Sequence, residues 1–252
     1  MNNTQKNKTR TIIILMTVLV FMGIGIAWIH YRGINESVDP RVKNARKLYE
    51  KYNEFAGSSQ YDSVFWLMDT IERIYNSIDH YSNSYETAVL YNNRSAVHLS
   101  VYLQPENEIL IGDTALILSK AENAVNTSIR ILQDWYNRFE GLDEHAIRKE
   151  IKKDFLSGLA QYDIAGQDKF LEKRIEEIME AQEENKRRLS VSYTNLGIIK
   201  RHQQKYDSAA IYYKQAIDLW DRNLTAENNL NILLNRPLKK RNLIQKLFPP
   251  EK

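Results

Sequence analysis

Residues 190–223 read SVSYTNLGIIKRHQQKYDSAAIYYKQAIDLWDRN. Apolar residues recur in it at helical spacing on both sides of Tyr206, where a second helix is expected to begin. The small residues Gly197 and Ala209 would let two antiparallel helices approach closely, and the ring of Tyr213 would help to fill the space around them. The stretch therefore predicts a hairpin of two helices.

This hairpin resembles the tetratricopeptide repeat, a unit of about 34 residues. The matching residues are Tyr193 at the first aromatic position, Leu196-Gly197 at the Leu-Gly pair, Tyr206-Asp207 at the start of the second helix, and Ala209, Tyr213 and Ala216 within it. Two positions depart from the pattern, because Gln204 replaces the usual turn glycine and Asp221 replaces the closing proline.

Two further stretches resemble the repeat more loosely. Residues 45–78 place Tyr61-Asp62 at the hinge, and residues 88–128 contain a first helix whose partner follows an insertion. Repeat units bury their apolar faces only against neighbours, so the last unit needs a cap. Residues 225–235 suit that role if Leu230, Leu233 and Leu234 face inward and the asparagines face water.

Glycine and proline are scarce between residues 41 and 236 and fall between apolar-periodic segments, which predicts an all-α domain. We expect helices near 41–56, 60–79, 84–103, 113–140, 144–158, 167–203, 206–222 and 225–235, with Asp39 as the first N-cap. Gln182 and Asn185 interrupt the apolar stripe of the 167–203 segment. This interruption indicates either a solvated part of one long helix or a break.

The resemblance implies a fold, an antiparallel helix-hairpin solenoid, and a function, the binding of a protein or peptide in a concave groove. First helices line that groove in the family, so the implied partner-binding residues are Tyr49, Asn53, Asn92, Asn93, Thr194, Asn195 and Arg201. Asparagine can donate to and accept from the backbone of an extended peptide. An alternative remains open, in which these asparagines cap or bridge neighbouring helices.

Residues 11–31 contain no charged side chain and predict one transmembrane helix. At about 1.5 Å per residue, this length just crosses a hydrocarbon core of roughly 30 Å. A cleaved signal peptide is the alternative, but the apolar run is longer than a usual signal core and bulky Trp28 and Ile29 follow its weak cleavage site. We expect residues 1–10 to form a short cytoplasmic tail and residues 32–40 a linker.

The charge of the chain is unevenly distributed. The first 32 residues contain four charged side chains, all of them basic: Lys6, Lys8, Arg10 and Arg32. The chain has 35 basic residues, so the remainder has 31 basic and 32 acidic residues and a net charge of −1. The near-neutral remainder does not favour nucleic acid as a partner. Cations before the apolar run favour a cytoplasmic amino terminus and a domain outside, because large domains cross membranes largely regardless of charge.

No sequence pattern indicates catalysis or a cofactor. The chain contains no cysteine, which excludes disulfides and thiolate metal sites. Its five histidines lack metal-ligand spacing, and no phosphate-binding or nucleophile motif is present. The acidic run from Glu176 to Glu184 is interpreted as a solvated helix face. The sequence also gives no sign of a small-molecule substrate.

We therefore expect a membrane-anchored scaffold, not an enzyme, that holds a protein or peptide partner in the periplasm at a bacterial inner membrane. The alternative function is a sensory or regulatory module that signals through the transmembrane helix. The basic tail, residues 237–252, combines cations with Leu243, Ile244, Leu247 and Phe248. It suits either a lipid surface or partner groove, or a frayed end.

Overall fold

In a computed structural model of the chain, the structure describes residues 37–103 and 114–240, and every structural statement below concerns these residues. They contain helices and no β-strand, so the all-α prediction is confirmed for this part of the chain. The helices are α1 (Lys43–Gly57), α2 (Tyr61–Asn76), α3 (Asp79–Ser82), α4 (Tyr85–Leu103), α5 (Thr114–Phe139), α6 (Glu144–Ser157), α7 (Ile164–His202), α8 (Tyr206–Leu219) and α9 (Leu224–Leu233).

Helices that are neighbours in sequence pack in pairs. Helix α1 packs on α2, α4 on α5, and α7 on α8, which also packs on α9. The 39-residue helix α7 is long enough to contact α4, α5 and α6 as well. It therefore runs through the domain as a common support for the shorter helices.

Two apolar cores lie along α7. The first core gathers buried residues of α1, α2, α3 and α6 with interior positions of α4, the carboxyl end of α5 and the first half of α7, and it includes Met68, Ile71, Phe155 and Ile178. The second core joins α4 and α5 to the second half of α7. A continuous α7 thus links the two cores.

The turns of two hairpins have the same backbone geometry. Ser59 between α1 and α2 has a φ of 57°, and Gln204 between α7 and α8 has a φ of 62°. In each turn the next residue donates its N–H to a carbonyl five residues back, Gln60 to Phe55 at 3.1 Å and Lys205 to Lys200 at 2.9 Å. Left-handed residues with this bond form Schellman caps, in which glycine is usual.

Helix α7 is continuous, so the break considered for this segment does not occur. Nor is the interruption fully solvated. The side chain of Asn185 is buried and donates to the carbonyl of Leu132 at 3.2 Å, while Gln182 donates to the carbonyl of Leu142 at 3.0 Å. These side-chain amides donate hydrogen bonds to carbonyl groups near the carboxyl end of α5. The periodicity of apolar residues does not predict such contacts.

The expected helix start at Asp39 was misplaced, because α1 begins at Lys43. Asp39 is buried and accepts from the backbone N–H of Arg41 at 2.9 Å, which forms a turn ahead of the helix. The guanidinium of Arg41 also pairs with this carboxylate and donates to the carbonyl of Phe155 at 3.1 Å. The segment before α1 is thereby attached to the carboxyl end of α6.

The last helix covers the domain less completely than expected. Leu230 and Leu233 of α9 are partly buried, but Leu234, which was expected to face inward, is 44% exposed. Asn228 and Asn229, which were expected to face water, instead bind Lys239 and Arg201. These two asparagines are therefore partly buried and contact other parts of the chain.

None of the described helices is both long enough and apolar enough to span a bilayer. The predicted transmembrane helix at 11–31 and the tail at 1–10 lie outside the described residues, as do positions 32–36 of the linker and 241–252 of the basic tail.

Candidate partner-binding groove

A cavity of about 430 Å³ opens between α1, α2, α4 and α7. Its volume lies in the range of clefts that bind ligands in proteins. Aromatic, aliphatic and charged side chains line it together: Arg46, Tyr49, Tyr75, Tyr85, Glu86, Val89, Glu177, Glu180, Ala181, Glu184 and Arg188. We call this cavity the tyrosine groove.

Three tyrosines contribute most of the aromatic surface of the tyrosine groove. Tyr49 lies on α1, Tyr75 on α2 and Tyr85 on α4, where its ring centre is 5.6 Å from that of Trp135. Burial raises the pKa of each of these three phenols above its ordinary value of 10.0. The rings therefore remain neutral near pH 7 and offer apolar faces with hydroxyl groups at their edges.

Helix α7 supplies an acidic edge to the groove. Glu177, Glu180 and Glu184 all line it, because residues spaced by three and four share one helix face. Glu177 pairs with Arg46 at 2.7 Å, and Glu184 pairs with Arg187 at 2.9 Å. Glu180 is exposed and has no ion-pair partner among the described residues.

A buried ionic network lies behind this edge. The side chain of Arg174 is only 3% exposed and pairs with Glu86 and Glu177. Its Nε donates to Nε2 of His80 at 3.0 Å, and its guanidinium lies 4.6 Å from the centre of the Tyr81 ring. The network ties α3 and α4 to α7 and so sets the shape of the groove.

The protonation states within the network follow from its charges. Burial disfavours the Glu86 carboxylate, but the charge and hydrogen bonds of Arg174 outweigh that cost and lower the Glu86 pKa to about 2. Burial and the charge of Arg174 lower the pKa of His80 to about 3, so its imidazole is neutral and accepts a hydrogen bond. The network is therefore fully formed near neutral pH.

A second depression continues from the tyrosine groove past Arg46, Glu177 and Glu180, which line both. Its other charged residues are mainly cationic: Lys43, Lys47 and Lys173, with Glu50. Together the two depressions form a continuous groove with a tyrosine-rich, acidic part and a lysine-rich part.

Of the residues predicted to bind a partner, Tyr49 lines the groove directly. Asn93 donates from its side chain to the hydroxyl of Tyr49, so it supports the groove wall from α4. Asn53 follows Tyr49 by one turn of α1 and is exposed. The structure thus brings Tyr49 and Asn93 together and leaves Asn53 accessible beside them.

The predicted residues Asn92, Asn195 and Thr194 take part in contacts between helices. Asn92 is buried, and its Oδ1 accepts from both Ser192 and Asn195 at 3.0 Å. Thr194 is also buried, donates to the carbonyl of Ser190 and accepts from Asn223. The alternative interpretation, in which such residues bridge helices, describes Asn92 and Asn195 at the seam between α4 and α7, and Thr194 at the contact of α7 with Asn223, just before α9.

Arg201 lies farther along α7 and donates to Oδ1 of Asn229 at 2.9 Å. It does not line the tyrosine groove. The seven predicted residues are therefore divided among the groove, the α4–α7 seam and the α7–α9 contact.

The sequence interpretation missed Tyr75, Tyr85, Glu180 and Glu184 as groove residues. The acidic run was assigned to solvent, and this assignment is wrong for Glu177, whose side chain is 12% exposed and pairs with two arginines. An available signal was the spacing of Glu177, Glu180 and Glu184, which places three carboxylates on one face.

In the described part of the chain, no group of three or more histidine or acidic residues is placed to hold a metal ion. Comparison with protein-family models, with curated proteins and with solved structures found no match. The candidate site is therefore defined by the geometry of this chain itself.

Proposed function

We propose that this chain is a scaffold that binds an extended segment of a protein partner in the tyrosine groove. One observation carries the proposal: a concave cavity of about 430 Å³ is lined by three tyrosine rings, Val89 and Ala181 and bordered by charged side chains. Apolar surfaces with a few polar groups around them are typical of ligand and peptide sites.

The finer architecture that we propose is a TPR-like antiparallel helix-hairpin solenoid. Three features support it: the pairing of α1 with α2, α4 with α5 and α7 with α8, the matching turns at Ser59 and Gln204, and the close approach of Gly197 to Tyr213. In such a stack the first helices of the pairs face one surface. Tyr49 on α1 and Tyr85 on α4 both line the groove, as this arrangement requires.

We further propose that residues 11–31 anchor the scaffold as a single-pass helix in a bacterial inner membrane, with the domain on the periplasmic side and no enzymatic activity. The support is the uncharged apolar run and the cations that precede it. An anchor raises the local concentration of the groove near membrane partners.

The groove is tested by selecting a random peptide library on the purified full chain and then trapping the selected peptides with a photoreactive residue. A photoreactive side chain at Glu50, which is exposed and lines the depression that continues from the tyrosine groove, should trap them. The same group at Lys214 serves as the matched control, since Lys214 is exposed on α8 and lines neither depression. Selection of no peptide, or trapping from position 214 alone, would refute the groove.

The anchor is tested by fusing alkaline phosphatase, which is active only outside the cytoplasm, after Pro40. The proposed orientation predicts an active enzyme in the membrane fraction. A reporter that is active only in the cytoplasm, fused at the same position, would contradict the topology if it were active. Release of the fusion in soluble form would contradict the uncleaved anchor.

A further inference from the structure

The charges around the tyrosine groove are not evenly compensated. Glu86 and Glu177 are neutralised by Arg174 and Arg46, whereas Glu180 is exposed without an ion-pair partner among residues 37–103 and 114–240. Glu184, one turn further along α7, has 38% of its side chain exposed. The rim of the groove thus presents carboxylate oxygen atoms to whatever enters it.

The two arginines of the groove lining leave Glu180 uncompensated. Arg46 is engaged by Glu177 at 2.7 Å, and Arg188 lies 3.9 Å from the carboxylate of Glu184, which also pairs with Arg187 at 2.9 Å. Both guanidinium groups of the lining are therefore already paired with carboxylates other than Glu180. A cation that enters the groove meets the carboxylate of Glu180 before it meets a free positive charge.

The walls of the tyrosine groove can contact both the alkyl stem and the charged head of a lysine or arginine side chain. Aromatic faces attract cations, and lysine and arginine place their alkyl stems on apolar surface while the charged head stays near polar groups. Tyr49, Tyr85 and Val89 supply that surface beside Glu180 and Glu184. Apolar walls and carboxylates are therefore found in one cavity.

The adjoining depression determines where such a cation would lie. Lys43 and Lys47 line it and are exposed on α1, and no ion pair joins either of them to another described residue. Their charge repels a cation from that part of the groove. Charge complementarity thus directs a basic side chain toward Tyr85 and Glu184.

We propose that the partner segment carries an arginine or lysine whose alkyl stem lies on the tyrosine and valine surface and whose charged head binds Glu180 and Glu184. This inference rests on the proposed function, since it specifies the chemistry of the segment that the groove holds.

The test uses peptides that the full chain selects from the library, each prepared in two forms. One form keeps its arginine, and in the other form citrulline, a neutral side chain of nearly the same shape, replaces it. Affinities are measured by fluorescence anisotropy for the wild type, for the double variant E180Q/E184Q, and for the control E176Q/E183Q, which alters two exposed carboxylates of α7 outside the groove lining.

We expect the arginine form to bind the wild type about tenfold more tightly than the citrulline form, as loss of a hydrogen bond to a charged group implies. In E180Q/E184Q this difference should fall to about twofold or less, while the control should retain it. Thermal unfolding of each variant shows that its domain is intact.

The outcomes separate the two proposals. Peptides that crosslink from position 50 but bind equally well with citrulline, or equally well to E180Q/E184Q, overturn the cationic inference and leave the groove in place. Selected peptides that do not crosslink from position 50 overturn the groove itself.

Discussion

The ring of Tyr213 on α8 lies directly against Gly197 on α7, so that a β-carbon at position 197 would stand 2.5 Å from Cε1 of Tyr213. Both residues are buried, and the contact sets how closely the two helices of the hairpin approach. Protein interiors are packed at near-crystalline density, so neither helix can move aside without loss of other contacts.

Replacement of Gly197 by alanine should lower the free energy of unfolding by about 1–3 kcal/mol, because the added methyl group overpacks the contact with Tyr213. Urea denaturation measures the change. Gly57 provides the control, since a β-carbon there meets no atom within 4 Å, and G57A should change stability by less than about 1 kcal/mol. Equal effects of G197A and G57A would show that the close approach does not limit packing.

Replacement of Gln204 by glycine should raise the free energy of unfolding by about 0.5–1 kcal/mol. Gln204 has a φ of 62°, a conformation that costs energy for a residue with a β-carbon. Gln203 precedes it with a φ of −79°, so Q203G should not stabilise the chain. If Q204G proved as destabilising as Q203G, the strain assigned to this turn would be absent.

Replacement of Asn92 by alanine should cost about 1–3 kcal/mol of stability, because the buried hydroxyl of Ser192 and the partly buried amide of Asn195 lose their shared acceptor. Asn53 is exposed, and N53A should alter stability by less than about 0.5 kcal/mol. The comparison separates a helix-bridging asparagine from an accessible one. An N92A protein as stable as the wild type would argue against the bridge.

Stability should decrease as the pH falls below about 6.5, the ordinary pKa of histidine. Folding lowers the pKa of His80 to about 3, so over this interval the unfolded chain binds a proton that the folded chain does not. Each pH unit then costs up to about 1.4 kcal/mol. Below pH 4.5 Glu86 adds an effect of the same sign, since its folded pKa is about 2.

The variant H80Q checks this effect by urea denaturation at several pH values between roughly 7 and 5. Its stability should depend less steeply on pH than that of the wild type. His98 and His202, whose pKa values burial also lowers, remain in both proteins. A slope in H80Q equal to that of the wild type would rule out His80 as a source.

Most helices of the domain could be predicted from local patterns, because periodic apolar residues and the scarcity of glycine and proline both act over short distances. The hinge residues at Tyr61 and Tyr206 were placed correctly for this reason, and both begin helices. The start of α1 could not be placed from Asp39, whose carboxylate binds Arg41 in a turn that depends on distant Phe155.

The candidate site was much less predictable. Tyr49 was predicted from the repeat that the sequence resembles, but Tyr75, Tyr85 and Glu184 join it only because α2, α4 and α7 meet there. Asn92 and Thr194 were predicted to line a groove, yet Asn92 is buried where α4 contacts α7, and Thr194 is buried beside Asn223. Sequence position alone does not distinguish an accessible amide from one that bridges two helices.

The amino-acid sequence was enough to predict an all-α domain, the turns before Tyr61 and Tyr206, and the close approach of two helices at Gly197, because these features depend on short-range sterics and periodicity. The continuity of α7, the pairing of Arg174 in the interior, and the enclosure of one groove by three tyrosines and an acidic edge became evident from the three-dimensional structure alone. Burial and charge pairing depend on contacts between residues far apart in the chain, which local sequence patterns do not record.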